Sequence, residues 1–395
     1  MSTEIGIGFS DNLTLDKAAE EAAHRAKNNI KVNKIDCCLV FSTVHYDPIK
    51  TVSSISSVMN QAKLVGCSTA GIILPESVTN RGILVVAFSS TDILFGIGSI
   101  TNILPNSMQK SGNLWAQNCM ADFGKSSRSG SLFFVDGLIR NNSLFLKGVQ
   151  EMLGNVFPIV GAGSSDDFHF KKSYQFFKNR VLTNAATGFI IGGHTAVGVG
   201  GRHGWKPLGK PRVINRSEGN IIKIIDGHEA SRLYEDYFGD QLKFTHSNYL
   251  DQTAIMYPLG IYMEGTHEYL LRNVMEILPD GSIACQGEVP QGHEVHIMIG
   301  NKDSCKQAAY EAAEEALKNL YGKKAKLIIV IDSMARLKLF GRFAYDEIAK
   351  IRSIFGSAVP IVGMYSNGEI SPFQSVENIL MPHLQNESIV VLAIA

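Results

Sequence analysis

One order of elements recurs three times along this chain, and that recurrence limits the fold more than any other feature. In the first copy a helical pattern over 15–27 leads to an apolar run at 35–41, and a second helical pattern follows over 49–61. A short run at 63–66 then enters the turn Cys67-Ser68-Thr69-Ala70-Gly71, and an apolar strand over 82–88 closes the unit. The second copy has a helix near 108–123, a strand at 131–135, a helix near 142–152 and a strand at 158–161. Its turn is Ala162-Gly163-Ser164-Ser165-Asp166, and its closing strand is 188–193. The third has an Ala-rich helix at 304–321, a strand at 327–331, a helix over 343–355 and a strand at 360–363. The turn Met364-Tyr365-Ser366-Asn367-Gly368 and a strand over 388–394 complete it. From Ser42 to Gly66 is 24 positions, from Asp136 to Gly161 is 25, and from Asp332 to Gly363 is 31. The longer third spacing falls in a strand-to-helix loop, where insertions are tolerated. Short β-branched runs alternating with helical patterns indicate parallel βαβ pairing. The expected class is α/β with mixed α+β character: repeated α-β-α-β-β modules forming layered sheets with flanking helices.

A region of different character, about 206–300, separates the second and third copies. Pro and Gly punctuate it, and its runs are short (221–225, 255–257), so it reads as a mixed segment with hairpins. The expected division is 1–205, holding two modules, and 206–395, holding the mixed segment 206–300 and the third module 301–395. With 37 basic and 37 acidic residues there is no net field to attract nucleic acid or an anionic membrane. The longest apolar runs are strand-length, far short of the roughly 20 residues that span a bilayer. The first residues lack a basic and apolar leader, and six cysteines without a Cys-x-x-Cys pair fit reduced, buried thiols. These features point to the cytoplasm, with no membrane insertion and no cofactor.

In βαβ units, loops leaving parallel strands emerge on one edge, where ligands of open α/β sheets bind. Two sets of loops are expected there. The first carries an acid and a base at equal spacing in two copies, Asp136 with Arg140 and Asp332 with Arg336; the first copy offers His45 and Tyr46. A guanidinium suits a ligand carboxylate and an aspartate suits an ammonium, although the same pair can simply staple a loop. The second set is the turns: Gly66, Cys67, Ser68 and Thr69; Gly163, Ser164, Ser165 and Asp166; Tyr365, Ser366, Asn367 and Glu369. They offer hydroxyls and backbone N–H groups, or else only the tight geometry that Gly and Ser permit.

Several catalytic patterns fail on inspection. The stretch from Gly204 to Lys210 imitates a phosphate loop, but Pro211 follows where a hydroxyl is needed. Gly66 to Gly71 is one residue too long for a Gly-x-Ser-x-Gly elbow. His293 and His296 have no third ligand at a zinc spacing. Cys67 or Ser68 could act as a nucleophile only with a base such as His45 beside it.

The stretch Leu64-Val65-Gly66-Cys67-Ser68-Thr69-Ala70-Gly71 resembles the hallmark turn of the N-terminal FIST region, and Arg202-His203-Gly204-Trp205 resembles its later Gly-Trp element. Asp226-Gly227, Tyr257-Pro258-Leu259-Gly260, Leu271-Arg272-Asn273 and Val289-Pro290-Gln291-Gly292 are similar to the C-terminal FIST region. Tyr365-Ser366-Asn367-Gly368-Glu369-Ile370-Ser371-Pro372 resembles its closing motif. The resemblance implies a sensory module (F-box and intracellular signal transduction) that binds a small ligand, an amino acid or related metabolite, and acts on a downstream signalling protein. It implies no catalytic residues. Relatives commonly carry a cysteine three residues before the arginine of the third copy, where this chain has Ser333. The expected function is small-ligand sensing; a Cys/Ser-dependent hydrolase or transferase and a protein-binding scaffold are the alternatives.

Overall fold

The computed structural model describes residues 3–32, 34–60, 62–239, 254–263, 268–374 and 380–395. Its first unit runs β1 (Thr3–Ser10), α1 (Leu15–Asn28), β2 (Cys37–Thr43), α2 (Pro48–Met59), β3 (Lys63–Thr69), β4 (Ile72–Leu74), β5 (Ser77–Thr79) and β6 (Ile83–Ser90). The second runs β7 (Ile93–Ile100), α3 (Met108–Phe123), β8 (Arg128–Asp136), α4 (Asn142–Leu153), β9 (Ile159–Ser164), β10 (Gln175–Phe177), β11 (Arg180–Leu182) and β12 (Ala186–Gly193). The third opens with β13 (Val197–Arg202) and is then interrupted. The insertion contains β14 (Lys206–Glu218), β15 (Ile221–Ile225), β16 (His228–Glu229), α5 (Arg232–Phe238), β17 (Leu259–Ile261), β18 (Leu270–Arg272), β19 (Val274–Ile277), β20 (Ile283–Cys285) and β21 (Glu294–Ile299). The third unit resumes with α6 (Lys302–Lys318), β22 (Leu327–Ser333), α7 (Met334–Phe340), α8 (Tyr345–Phe355), β23 (Ile361–Ser366), β24 (Glu369–Gln374), β25 (Leu380–Gln385) and β26 (Ile389–Ile394).

Each unit thus has a leading strand and a late hairpin that the repeat pattern alone did not show. The leading strands pair antiparallel with the closing strands, giving the orders β1-β6-β2-β3, β7-β12-β8-β9 and β13-β26-β22-β23. Among the described residues, parallel pairing is confined to the two strands joined by a crossover helix in each unit. Three notches admit the helices. A Cβ on Gly6 or Gly8 would lie 1.9 Å from carbonyl oxygens of α1, and one on Gly198 or Gly200 would lie 2.0–2.1 Å from those of α6. Gly96 and Gly98 serve α3 in the same way, against Cys119. Alanine stripes on α1 (Ala18, Ala22, Ala26) and α6 (Ala309, Ala312, Ala316) complete the close contact and are fully buried.

The hairpins are exchanged in a ring. The first unit's β4–β5 pairs with β23 of the third, the third's β24–β25 with β9 of the second, and the second's β10–β11 with β3 of the first. Among the described residues three six-stranded sheets result, each completed by another unit. Their inner faces share one apolar core, in which Phe41, Phe134 and Ile331 hold corresponding places, as do Cys67, Ala162 and Met364. Helices cover the outer faces and bury separate apolar layers beneath them. The insertion has its own sheet and core, including Ile214, Leu259 and Val295.

Candidate functional site

Because the chain leaves each unit's own sheet after its Gly/Ser turn to join another unit, the three turns meet at one place. Ser165 N donates to Ser68 O (3.2 Å), Ala70 N to Tyr365 O (3.2 Å), and Asn367 N to Gly163 O (2.9 Å). The hydroxyls reinforce these links: Ser68 Oγ donates to Ser165 O, and Ser165 Oγ and Thr69 Oγ1 both donate to Tyr365 O, each at 2.8 Å. Ser164 shares a bond with Ser173, Ser366 donates to Glu369, and Asn367 Nδ2 donates to Gly137 O. Gly163 is required here, since a Cβ would sit 2.1 Å from Asn367 O. Gly66 lies earlier in β3, where a Cβ would strike Val40 O. All these polar side chains are buried, so the turns form a filled knot joining the units.

Cys67 sits in the shared core with its Sγ 3.6 Å from Met364 Sδ, and burial pushes its thiol far above the ordinary value. Ser68 Oγ, besides donating to Ser165, accepts from Tyr174 N. His45 is exposed, with Nδ1 3.2 Å from Thr43 Oγ1. The bonds made by Cys67, Ser68 and His45 therefore do not assemble a nucleophile and base.

The equal spacing of Asp136/Arg140 and Asp332/Arg336 does not make them equivalent. Asp136 stands opposite Ser164, three places beyond Gly161, whereas Asp332 stands opposite Tyr365, two places beyond Gly363. Successive strand residues face opposite sides, so the two pairs diverge. Asp136 accepts from Ser173 Oγ, Leu138 N and Asn184 N; burial nevertheless lifts its carboxyl above the usual range. Arg140 is half exposed and reaches Glu276 of the insertion at 2.5 Å. Arg336 is wholly buried, with Nε 2.9 Å from Asp332 and Nη2 2.5 Å from Glu347. Burial, then the Glu347 carboxylate, drives Asp332 far above its ordinary pKa, which favours its neutral form. One guanidinium then balances one negative charge. Glu369, buried and accepting from Ser366, Gly368 N and Ser388, is raised by desolvation to about 7.

Beside the knot lies an open cleft of about 500 Å³, built by all three units. The hairpin β4–β5 supplies Val78 and Thr79, with Asn80 following; the loop after β9 supplies Asp167 and Phe168; and Leu337, Lys338, Arg342 and Tyr345 come from α7 to the start of α8. Asp166 shapes this cleft from behind. Its carboxylate accepts from the backbone N–H groups of Phe170 (2.8 Å), Lys171 (2.6 Å) and Lys172 (2.9 Å), folding the loop tightly. Asp167, Phe168 and Phe170 all adopt positive φ, an uncommon backbone for such residues that the Asp166 bonds sustain. Burial raises the Asp167 carboxyl, opposed by His45 and His169 nearby. Lys338 Nζ lies 5.9 Å from the Phe168 ring, and Tyr345 Oη donates to Pro75 O at 2.9 Å. Asp167, Lys338 and Arg342 are thus sequence neighbours of the expected Asp166 and Arg336. The cue was the doubled Asp166-Asp167, of which one carboxylate is needed inside the loop and the other faces the cleft. His45 belongs to the same edge through its effect on Asp167. The cleft offers one carboxylate and two cations beside an apolar wall. Among the described residues no group of His, Cys, Asp and Glu is arranged to hold a metal ion, and no helix is long and apolar enough to cross a membrane.

Comparison with known proteins places this architecture. An uncharacterized protein of Mycobacterium bovis is 22% identical over 377 residues, covering 93% of this chain and 94% of that one. An uncharacterized protein of Methanocaldococcus jannaschii is 25% identical over 97 residues, and the match spans about a fifth (19%) of its length. Among solved structures, a cyanuric acid hydrolase from A. caulinodans aligns over 100% of this chain and 99% of its own, at 9% identity and a TM-score of 0.41. Likeness at that level says nothing about chemistry. The FIST N domain matches residues 36–228 and the FIST C domain matches 230–372. With nearly its whole length accounted for by these two domains in order, the chain belongs to the FIST family.

Proposed function

We propose that the protein is a sensor that binds a small zwitterionic metabolite, an amino acid or a related small carboxylate, in the cleft beside the knot. FIST domains are associated with sensory roles in signalling. The observation that carries the proposal is the pairing of Asp167 with Lys338 and Arg342 around about 500 Å³, a volume within the range of small-ligand sites. The ligand carboxylate would meet Lys338 and Arg342, its ammonium would meet Asp167, and its side chain would lie against Val78, Phe168 and Leu337. Asp166 and Arg336 act as positioning residues, one folding the loop and the other fixing α7. Asp136, Asp332, Glu369 and the knot residues hold the three units in register around the cleft, and Arg140 joins the insertion to the second unit.

Thermal stabilisation of the purified protein against amino acids, small carboxylates, nucleotides and metal ions tests this reading. A ligand at 100 times its Kd adds about 2.7 kcal/mol. A selective response to amino acids or carboxylates is expected; a response confined to nucleotides or metal ions would overturn the reading.

A further inference from the structure

The insertion hangs from the third unit by two chain crossings: 203–205 on the way in, after β13, and 300–305 on the way out, into α6. The crossings are pressed together. A Cβ on Gly204 would lie 2.8 Å from Cys305 Cα, and one on Gly300 would lie 2.9 Å from the Trp205 ring. Cys305 Sγ contacts His203 O at 3.7 Å. One side chain from outside the stalk bonds to both. Arg336 Nη1 donates to His203 O on the incoming crossing, and Nη2 donates to Cys305 O (3.0 Å) on the outgoing one. The guanidinium also lies 5.9 Å from the Trp205 ring centre.

Arg336 belongs to α7, and the next two residues of that helix, Leu337 and Lys338, line the cleft. The apolar packing is equally continuous. Val78, Leu337 and Ala344, all cleft residues, pack in one cluster with Trp205, Leu271 and Met298 of the insertion and its stalk. A displaced α7 cannot keep both stalk bonds without moving the stalk, because a fully buried guanidinium has no water to replace them.

We infer that α7 is a lever: a ligand in the cleft shifts α7, and Arg336 passes the shift to both crossings, changing how the insertion is held against the three-unit body. This output rests on the ligand-binding reading for its natural trigger, but the linkage itself can be tested without a ligand. The six native cysteines are all buried, so a thiol placed at the exposed Lys338 by Lys338→Cys is the accessible one. The chain has two tryptophans, and Trp115→Phe leaves the buried Trp205 as sole reporter.

The experiment attaches N-ethylmaleimide, and separately a bulkier maleimide, to Lys338→Cys in the Trp115→Phe background. It reads Trp205 emission and amide exchange of the stalk segments. The expected result is a change in Trp205 emission with roughly tenfold faster exchange at the stalk, growing with reagent size. Arg336→Lys, which keeps the charge but cannot bridge both carbonyls, should exchange faster before labelling and respond little to it. The same reagents on Tyr321→Cys, a site 86% exposed at the end of α6, should change neither signal. Unaltered emission and exchange after complete labelling at position 338 would overturn the lever, as would an equal response from Tyr321→Cys. Should Arg336→Lys fail to fold, the two labelling sites still decide the matter. A flat amino-acid panel alongside a responsive Trp205 would sink the ligand reading and leave the lever standing.

Discussion

Replacing Arg336 with Met keeps much of the side-chain volume and removes the charge that balances the Asp332–Glu347 pair. In the native protein both carboxyls contact the guanidinium, and burial and Glu347 push Asp332 toward its neutral form, which leaves one negative charge to be balanced. Without the guanidinium a lone charge would be buried, at a cost of several kcal/mol, so the pair takes up a second proton instead. The unfolded chain, with a carboxyl pKa of about 4.3, does not hold that proton at pH 7. Each pH unit above that value costs the folded variant about 1.36 kcal/mol. The penalty from this source is therefore about 3.7 kcal/mol at pH 7 and about 1 kcal/mol at pH 5. Loss of the donors to His203 O and Cys305 O adds about 1–3 kcal/mol for each charge-assisted bond removed, independent of pH. Urea unfolding of wild type and Arg336→Met at pH 5, 6 and 7 should show the stability difference shrinking by about 2.7 kcal/mol toward acid. A difference constant across that range would refute this charge-balance reasoning, since it would mean that no extra proton enters on loss of the guanidinium.

Glu369 gives a second titration: with its folded pKa raised from 4.5 to about 7, its stabilising contribution is full below the unfolded value and is lost as pH rises through 7. That loss is about 3 kcal/mol between pH 4 and 8, and the pH–stability profile of Glu369→Gln should lack it. Gly163→Ala forces a Cβ to 2.1 Å from Asn367 O and should destabilise by more than about 3 kcal/mol in chemical denaturation, against roughly 1 kcal/mol for Gly219→Ala, which meets open space and bears only its positive φ. Asp166→Ala removes the acceptor of three backbone N–H groups and should cost about 2–4 kcal/mol, with proteolytic nicking confined to 166–172; an uncut loop would contradict its role. Native Cys67 should resist a thiol-specific disulfide reagent at pH 8 on the timescale on which urea-unfolded protein reacts fully, and rapid modification would revive the nucleophile reading.

The three units were legible because each rests on strong local signals: the apolar runs, the intervening helices and the glycine ahead of each turn. The leading strands were harder, since the third is cut off from its unit by the insertion. Their signal was nonetheless present as Gly6-Ile7-Gly8, Gly96-Ile97-Gly98 and Gly198-Val199-Gly200, the notches that admit α1, α3 and α6. The ring of exchanged hairpins was not legible. Strands β4, β5, β10 and β11 are three residues long, and nothing local says which sheet a hairpin will join. The Asp–Arg spacing misled for a related reason, as a one-residue difference in register turns Asp136 and Asp332 to opposite faces. At the proposed site, the loops singled out in the sequence adjoin the cleft, but the residues named there are mostly buried within the fold. The groups lining the cleft lie one to six positions away, and only the loop geometry around Asp166 and the burial of Arg336 separates anchor from surface.

The most direct test of the zwitterion site is calorimetric titration of the amino acid selected by thermal screening, compared with its decarboxylated amine and its deaminated acid. If Asp167 takes the ammonium and Lys338 with Arg342 the carboxylate, each analogue should bind at least about tenfold more weakly, as expected for loss of a charge-assisted bond of about 1.5–3 kcal/mol. Lys338→Ala should narrow the gap between amino acid and amine, and Asp167→Asn the gap between amino acid and acid. Equal binding of all three ligands, or an affinity untouched by both substitutions, would contradict the account.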